Sequence, residues 1–439
     1  EAAGEKNINL IFFGGNALRD PVGFRSRANV LYDFITSGRI DGLIIMTASI
    51  GFSVTQEDVE RFVGRYATIP VITIEQSFKG IPSVLKDDYQ GFRDAITHLI
   101  EVHGRRRIVF MQGPAEAVVS RIRYRAYLDA LAEYGFPFDP NLVTPPAVSW
   151  FYRDAVKTFG TFLAEHALQP RFDFDAVVGV NDEHAIAAVN ILQSTDVRVP
   201  EDVSVTGFDD LSSAGANVPP LTSVRQPLTL MGEKAFELLL DKMSGKDIPQ
   251  VSILPDQLII RHSCGCLLPS ITEAAGGFQI DDEVRSSEQT LAVLLAEDRK
   301  NIAAEMAKAS YRSESAQLWS GQLLNGFVNE IDHSIPGAFL SALDEVLNRA
   351  AVKGERIIYW QRAISVMRKR VSPYITHPEK QRIADGLWQQ ARVMVGEIAW
   401  RNQSRKRLMF ESRMGDLWAL GARMAASLDL NDLVGILST

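Results

Sequence analysis

Residues 174–226 read FDAVVGVNDEHAIAAVNILQSTDVRVPEDVSVTGFDDLSSAGANVPPLTSVRQ, and this stretch decides the fold class. The β-branched run at 177–180 predicts a fully buried parallel strand. Apolar residues recur at helical spacing over 185–192, behind the capping residue Asp182. A second strand is predicted over 203–208. Because a crossover of this length normally joins parallel strands, the pattern indicates an α/β fold.

Polar side chains follow both strands of this unit. Asn181 and Asp182 come after the first strand, and Asp209 and Asp210 come after the second. Ligands of open parallel sheets bind beyond the carboxyl ends of the strands. An amide and a carboxylate together supply a donor and an acceptor, so we expect Asn181 and Asp209 to contact a ligand with adjacent hydroxyls.

The same alternation of strands and helices continues upstream. Strands are predicted over 8–15, 39–46 and 69–75, and helices over 23–36 and 55–66. Asn16 and Glu75 end the first and third of these strands, where they would face a ligand. Loop polarity explains Glu75 equally well.

The composition is that of a globular protein with two or three domains. The length of 439 residues exceeds one ordinary core, and 46% hydrophobic and 23% charged residues are normal values. The net charge of −8 argues against broad nucleic-acid binding. No apolar run approaches the roughly 20 residues of a membrane span, and the N-terminus lacks a signal-peptide pattern. We expect a cytoplasmic protein with no direct nucleic-acid or membrane partner.

Cys264 and Cys266 stand beside His262 in the segment HSCGC. Zinc normally takes four ligands, so a site here would need a distant or second-chain ligand. An ordinary reduced pair is the favoured interpretation, because a bridge across one residue is strained and cytosolic thiols stay reduced. We therefore predict no metal and no cofactor.

Five segments resemble, in order, the ligand-binding core of the lactose-repressor (LacI/GalR) family, which shares the type I fold of periplasmic sugar-binding proteins. They are DDYQGFRDAITHLIEVHGRRRIVFMQGP, RIRYRAYLDALAEYGF, VNDEHAIAAVNIL, VRVPEDVSVTGFDD and PPLTSVRQPLTLMGEKAFELLL. The resemblance covers residues 7–263 and implies two α/β lobes around a cleft. The family's usual N-terminal helix-turn-helix has no counterpart in this sequence.

The resemblance also implies a role for one of three nearby arginines. By similarity, Arg123 rather than Arg121 or Arg125 faces the cleft, where its planar fork can bind two hydroxyls or a carboxylate. The alternative is a surface arginine paired with Asp129 or Glu133.

An aromatic residue near the start of the next helix is also implied to face the ligand. We choose Phe151, which could stack on a sugar ring, although core packing is the competing explanation. The candidate ligand contacts are therefore Asn16, Glu75, Arg123, Phe151, Asn181, Asp209 and Gln226.

Beyond residue 268 the sequence predicts an all-α region, so we divide the chain into a sensor at 1–268 and helices at 269–439. The last long helix has a polar middle, RNQSRKR, which we interpret as a solvated surface rather than a nucleic-acid contact. A seam at steps of four and three follows, which indicates a short coiled coil and a homodimer. Its residues are Phe410, Met414, Leu417, Gly421, Met424 and Leu428.

Three function classes compete for this sequence. An enzyme is least supported, because no nucleophile elbow, HExxH or Walker loop is present. The arrangement resembles bacterial hybrid sensors, in which cleft closure is relayed through helices to a diguanylate cyclase or histidine kinase, and we expect such an output domain after Thr439. The alternative is a lactose-repressor-type transcriptional regulator without its DNA-binding head. Both imply a small polar ligand such as a sugar.

Overall fold

The computed structural model describes residues 8–19, 26–36, 38–51, 54–274, 290–310, 316–333 and 335–426. The chain divides into two compact units. Unit 1 comprises Glu1–Val197, Thr206–Asp210 and Ser223–Ile259, and unit 2 comprises Arg198–Val205, Leu211–Thr222 and Ile260–Thr439. The division at residue 268 drawn from the sequence stays a prediction.

Unit 1 is built on short, mostly parallel strands. The strands are β1 Leu43–Met46, β2 Val71–Ile74, β3 Ser83–Lys86, β4 Ile108–Met111, β5 Ala176–Gly179, β6 Ser204–Thr206, β7 Ser223–Arg225, β8 Val251–Leu254 and β9 Gln257–Ile259. The first sheet has the order β1-β2-β3-β8, with every pair parallel. In the second sheet β4 pairs with β5 in parallel, and β6, whose Thr206 belongs to this unit, is the third strand. Strands β7 and β9 form an antiparallel ribbon.

Helices alternate with these strands, as the predicted α/β class requires. Their bounds are α1 Thr47–Ile50, α2 Gln56–Gly64, α3 Asp88–Glu101, α4 Val118–Glu133, α5 Tyr152–Glu165, α6 Asp182–Ser194, α7 Ser212–Ala216 and α8 Leu228–Met243; α7 lies in unit 2. Helix α3 begins where the Asp87 side chain accepts from the Gln90 N–H, and it buries Phe92 and Ile96 at a four-residue step. The two sheets and the crossover helices confirm the α/β reading of residues 174–226, since β5 is buried at every position.

The predicted first strand over 8–15 is wrong for the described residues. Residues 8–17 have no strand assignment, and Leu10 and Phe12 are 73% and 87% exposed. An apolar run raises strand propensity, but a strand also needs a neighbour whose backbone groups it can pair with. The following segment forms a 3-10 helix at Ser26–Phe34 instead of the predicted α-helix over 23–36.

Unit 2 contains the helical region that the sequence predicts. Its further helices are α9 Pro269–Glu273, α10 Leu291–Leu294, α11 Arg299–Ser310, α12 Ala316–His333, α13 Ala338–Val352, α14 Trp360–Val371 and α15 Pro378–Ala426. Aromatic rings fill its core: Trp388 stacks on Phe327 with centroids 4.3 Å apart, and Phe339 meets both rings edge-on. The turn before α13 is held by the Glu330 carboxylate, which accepts from the N–H groups of Gly337 and Phe339.

Helix α15 is 49 residues long and carries the predicted coiled-coil seam. Phe410 and Met414 are 66% and 39% exposed, so the first part of the seam faces solvent in one chain. Leu428 lies outside the described residues, as do the side chains of Leu417 and Met424. Within the described residues, none of the helices combines the length and apolar character that a membrane crossing requires.

Candidate functional site

A closed ring of five polar side chains lies at strand and helix ends of unit 1. Its members, called the polar ring below, are Lys86, Asp88, Arg123, Asp209 and Gln226. Each side chain contacts the next, and the ring consists of two cations, two carboxylates and one amide. Because charges of both signs are paired inside one compact region, the ring is electrostatically balanced before any ligand enters.

Arg123 is the buried cation of the ring. Its side chain is 2% exposed, and its Nε and Nη2 donate to Asp88 Oδ1 at 3.1 and 2.5 Å. Its Nη1 donates to the Val180 carbonyl at 2.6 Å, and the guanidinium carbon lies 3.6 Å from the centroid of the Phe208 ring. The same Nη2 lies 3.8 Å from Asp209 Oδ1.

The three candidate arginines of α4 differ in environment as the resemblance implies. Arg121 donates to backbone carbonyls, and Arg125 forms a surface ion pair with Asp129 at 2.8 Å. The alternative pairing of Arg123 with Asp129 or Glu133 is therefore wrong, since Arg123 is paired with Asp88 instead. Whether the Arg123 fork also contacts a ligand stays a prediction.

Asp209 and Gln226 close the ring on its other side. Gln226 Nε2 donates to Asp209 Oδ1, and Lys86 Nζ donates to Gln226 Oε1 at 2.7 Å. Burial raises the pKa of Asp209, against the attraction of Arg123 and Lys86. Lys86 also lies 3.9 Å from Asp88 Oδ2, which completes the circuit.

Three carboxyl residues at strand ends hold an unusual backbone conformation. Glu75, Asp209 and Asp210 have φ values of 77°, 107° and 51°. Side chains other than glycine rarely adopt this region, and the strain persists only where surrounding structure enforces it. Such strain concentrates at binding sites, which agrees with the positions of these residues after β2 and β6.

Buried acceptor atoms without a partner lie close to the charges of the ring. Glu75 Oε2 and both carboxyl oxygens of Asp256 have no hydrogen-bond partner among the described residues. Burial, then the nearby Asp88 charge, raises the pKa of Asp256 to about 7. Burial likewise raises the pKa of Glu75, although Lys86 opposes it. These oxygens can accept hydrogen bonds from a hydroxyl-bearing ligand.

Both the oxygen and the nitrogen of the Asn181 amide contact other protein groups, which the sequence does not suggest. It caps α6: its Oδ1 accepts from the His184 N–H at 3.0 Å and faces His184 Nδ1 at 2.7 Å. Its Nδ2 donates to the Trp150 carbonyl at 3.1 Å, which leaves one amide hydrogen for a ligand. Burial lowers the pKa of His184 to about 4, so this imidazole is neutral at pH 7.

Asn16 and Phe151 have other surroundings. The Asn16 N–H donates to Asn29 Oδ1 at 2.8 Å, and its carbonyl accepts from the Tyr32 hydroxyl at 3.2 Å. Phe151 precedes α5 and is 60% exposed, so core packing does not explain it. The structure thus brings Arg123 and Gln226 into contact with Asp209, and Glu75 lies close enough for the Asp209 charge to contribute to raising the Glu75 pKa.

Lys86, Asp88 and Asp256 are site residues that the sequence reasoning missed. The rule that ligands sit beyond strand ends would have pointed to Lys86 and Asp256. Lys86 ends β3, and Asp256 lies in the turn between β8 and β9. Asp256 also needs Gly91, because a Cβ at Gly91 would lie 2.8 Å from the Asp256 Cβ.

Comparison with known proteins finds similarity over a region that includes Arg123, Asp209 and Gln226. Residues 96–264 match the family model of the periplasmic binding protein-like domain. The HTH-type transcriptional regulator CelR of Thermobifida fusca is 36% identical over 178 residues, which are 40% of this chain and 50% of CelR. The HTH-type transcriptional repressor PurR of Haemophilus influenzae is 27% identical over 242 residues, 54% of this chain and 68% of PurR. The chain thus spans half the length of CelR and about two thirds of PurR.

Solved structures agree at the level of the fold. A LacI-family regulatory protein of Chloroflexus aggregans has 25% identity and a TM-score of 0.50, over 60% of this chain and 88% of that one. The complex of CelR with cellobiose has 29% identity and a TM-score of 0.49, over 60% and 75%. The names of these relatives are those of regulators rather than enzymes. Residues 96–264 therefore match a periplasmic binding protein-like domain, and the chain is similar in fold to LacI-family regulators over 60% of its length.

Proposed function

We propose that this chain senses a small, hydroxyl-bearing ligand such as a sugar at the polar ring of unit 1. The observation that carries the proposal is the set of unpartnered, buried acceptor oxygens on Glu75 and Asp256 next to that ring. A buried acceptor without a donor costs roughly 1 to 3 kcal/mol, and ligand hydroxyls would remove that penalty on binding.

The charge balance of the site favours a neutral ligand. Lys86 and Arg123 already face Asp88 and Asp209, so a charged ligand would leave one of these groups unpaired. The pKa of Asp256, raised to about 7, lets this carboxyl both donate a hydrogen bond to and accept one from a hydroxyl near neutral pH. A polyol ring that both donates and accepts hydrogen bonds matches this mixture.

We further propose that the complete protein is a transcriptional regulator. CelR and PurR are named as HTH-type regulators, which favours DNA as the target of the output. The predicted relay to a diguanylate cyclase or histidine kinase has no support in these comparisons. The expectation of no nucleic-acid partner therefore does not apply to the complete protein.

Calorimetric titration of the full chain with a panel of mono- and disaccharides, nucleosides and amino acids tests the ligand class. We expect a sugar to bind, and Arg123→Lys and Asp209→Asn to weaken it at least roughly tenfold, because charged hydrogen bonds contribute about 1.5 to 3 kcal/mol. Arg125→Lys is the matched control, since Arg125 forms a surface pair on the same helix.

Two results would contradict the proposal. Binding of nucleosides or amino acids without any sugar would exclude the ligand class. Sugar binding that is unchanged in both ring variants would exclude the polar ring as the site.

A further inference from the structure

A cavity of about 430 Å³ lies between helices α14 and α15 in unit 2. It is called the α14–α15 cavity below. Its volume falls in the range of small-molecule sites, roughly 300 to 1,000 Å³. Neither the polar ring nor any other residue of unit 1 lines it.

One face of α14 and the turn after it line one wall. Ser365, Arg368, Lys369 and Ser372 follow each other at steps of three, one and three, so they share one helical face. The opposite face of α14 buries apolar residues in the core, among them Ile364 and Met367. Helix α14 is therefore amphipathic, and its polar face meets a neighbouring helix rather than open solvent alone.

One face of α15 lines the other wall. Asp385, Trp388 and Arg392 recur at steps of three and four. Polar bonds cross between the two helices: Arg368 pairs with Asp385 at 3.1 Å, and Arg392 Nη2 donates to Ser365 Oγ at 3.3 Å. Facing positions of packed helices are ordinarily apolar, and here polar side chains hold the helices together around an open space.

The cavity has an excess of positive charge. Three cations line it, Arg368, Lys369 and Arg392, against the single carboxylate of Asp385. Asp385 is paired with Arg368, and no ion pair of Lys369 or Arg392 occurs among the described residues. Two solvent-exposed cations without an ion pair in the described part of the chain, Lys369 and Arg392, therefore border an open cavity.

The indole of Trp388 forms part of the buried floor of the cavity. Trp388 is 0% exposed, and its Nε1–H is buried and has no hydrogen-bond partner among the described residues. The stack of Trp388 on Phe327 fixes the ring, so the indole closes the cavity floor without offering a donor to a ligand.

We propose that the α14–α15 cavity binds a small dianion of the phosphate monoester class. Its phosphate oxygens would accept from the Arg392 guanidinium and the Lys369 ammonium, and the serine hydroxyls would complete their coordination. Ile375 and Ala384 give the cavity an apolar border, which suits the organic part of such a ligand. The two cations match the charge of about −2 that a phosphate monoester carries.

A purely structural role explains only part of this arrangement. Arg368 and Lys369 lie in the last turn of α14, where cations stabilise the carboxyl end of a helix. Arg392 lies in the interior of α15, far from either end of that 49-residue helix, so the helix dipole does not account for it.

The cavity would give the helical region a chemical input of its own. Every lining residue belongs to unit 2, so this proposal stands or fails independently of the sugar site in unit 1. Helix α15 also carries the coiled-coil seam, so occupancy of the cavity would act on the helix that we expect to mediate dimerisation.

Titration of the full chain with inorganic phosphate and with glucose 6-phosphate tests the proposal, by calorimetry and by tryptophan fluorescence at constant ionic strength. We expect saturable binding of the monoester to one site. Arg392→Gln and Lys369→Gln should each weaken it roughly tenfold or more, the loss of one charged hydrogen bond. Trp388→Phe keeps the aromatic stack and should leave binding unchanged, because the indole nitrogen is buried and does not reach the cavity.

Arg362→Gln is the matched control, because Arg362 lies on α14 but contacts the Tyr359 ring outside the cavity. Chloride at equal concentration is the ligand control, and glucose reports any binding at the unit 1 site alone. Equal losses in Arg362→Gln and Arg392→Gln would show non-specific charge attraction and overturn the proposal, as would binding of glucose 6-phosphate that Arg392→Gln leaves unchanged. Sugar binding that persists in Arg392→Gln separates this outcome from failure of the unit 1 site.

Discussion

The contact between His262 and Asp344 gives unit 2 a defined pH dependence. His262 Nδ1 lies 3.0 Å from the Cys266 carbonyl, so this nitrogen carries a proton and donates to it. The other ring nitrogen, Nε2, lies 3.4 Å from Asp344 Oδ2 and meets that carboxylate favourably only when it is protonated too. Burial lowers the pKa of His262, but the bond to Asp344, its charge and the Cys266 carbonyl outweigh burial and raise the pKa to about 8.

The size of the effect follows from the two protonation equilibria. A histidine with a pKa of 6.5 when unfolded and about 8 when folded adds about 2 kcal/mol to the free energy of unfolding. The side chains of His262 and Asp344 are 17% and 18% exposed, so solvent screens their interaction little. Because the folded pKa is the higher one, the contribution is complete below pH 6.5 and disappears as the pH rises through 8.

Asp344→Asn removes the charge and tests this reasoning. We expect the substitution to lower the free energy of unfolding by about 2 kcal/mol more at pH 6 than at pH 9, because His262 is protonated in the folded chain only at the lower pH. Asp344 also interacts with the buried Arg401, which stays protonated over this range, so that loss is the same at both pH values. Urea unfolding followed by tryptophan fluorescence reports mainly on unit 2, since Trp150 is the one tryptophan of unit 1.

Two controls make the test decisive. Glu345→Gln removes the neighbouring carboxylate, which pairs with Arg349 at 2.5 Å, and should leave the pH dependence unchanged. Titration of the His262 ring by NMR should give a pKa near 8 in the native chain and below 6.5 in Asp344→Asn. A native pKa at or below 6.5, or identical pH dependence in both proteins, would refute the reasoning.

Three further predictions concern a buried carboxyl, a helix contact and the assembly. Asp256→Asn should raise the free energy of unfolding by about 2 to 4 kcal/mol at pH 8 and by less toward pH 4, because the folded pKa of about 7 exceeds the unfolded 3.8. Equal gains at both pH values in denaturant titrations would contradict this prediction. Gly326→Ala should destabilise unit 2 by about 1 to 3 kcal/mol, since its Cβ would lie 2.8 Å from the Ala338 carbonyl oxygen. Gly321→Ala is the control, because a Cβ at Gly321 has no neighbour within 4 Å, and equal melting temperatures of the two variants would contradict the prediction. Sedimentation at micromolar concentration should show a homodimer that Phe410→Glu converts to a monomer, because Phe410 is 66% exposed on the seam. A monomeric native chain would exclude the dimer.

Local periodicity in the sequence was enough to predict the α/β class and the later helices. The β-branched run before Asn181 can be buried only as a strand between covered faces, and β5 is buried at every position. Helix caps are also local: Asp87 and Asn181 each bond an N–H three residues later. The choice of Arg123 among three arginines needed the family resemblance, because helical spacing showed only that one of them could face inward.

Pairing between distant segments was beyond the sequence. Lys86 and Gln226 lie 140 residues apart and meet only because β3 and the segment after β7 end at the same place. The apolar run over 8–15 had the composition of a strand, but pairing needs a partner edge, and the described residues provide none for it.

The sequence by itself determined which residues are helical, extended or capping, because those preferences depend on neighbours within about four positions. It also determined the polar types available at the strand ends. Only the tertiary structure decided how they are used: Asn181 is taken up by His184 and Trp150, while Asp256 is buried without a partner. Burial and charge set those roles, and both depend on which distant groups the fold brings within a few ångströms.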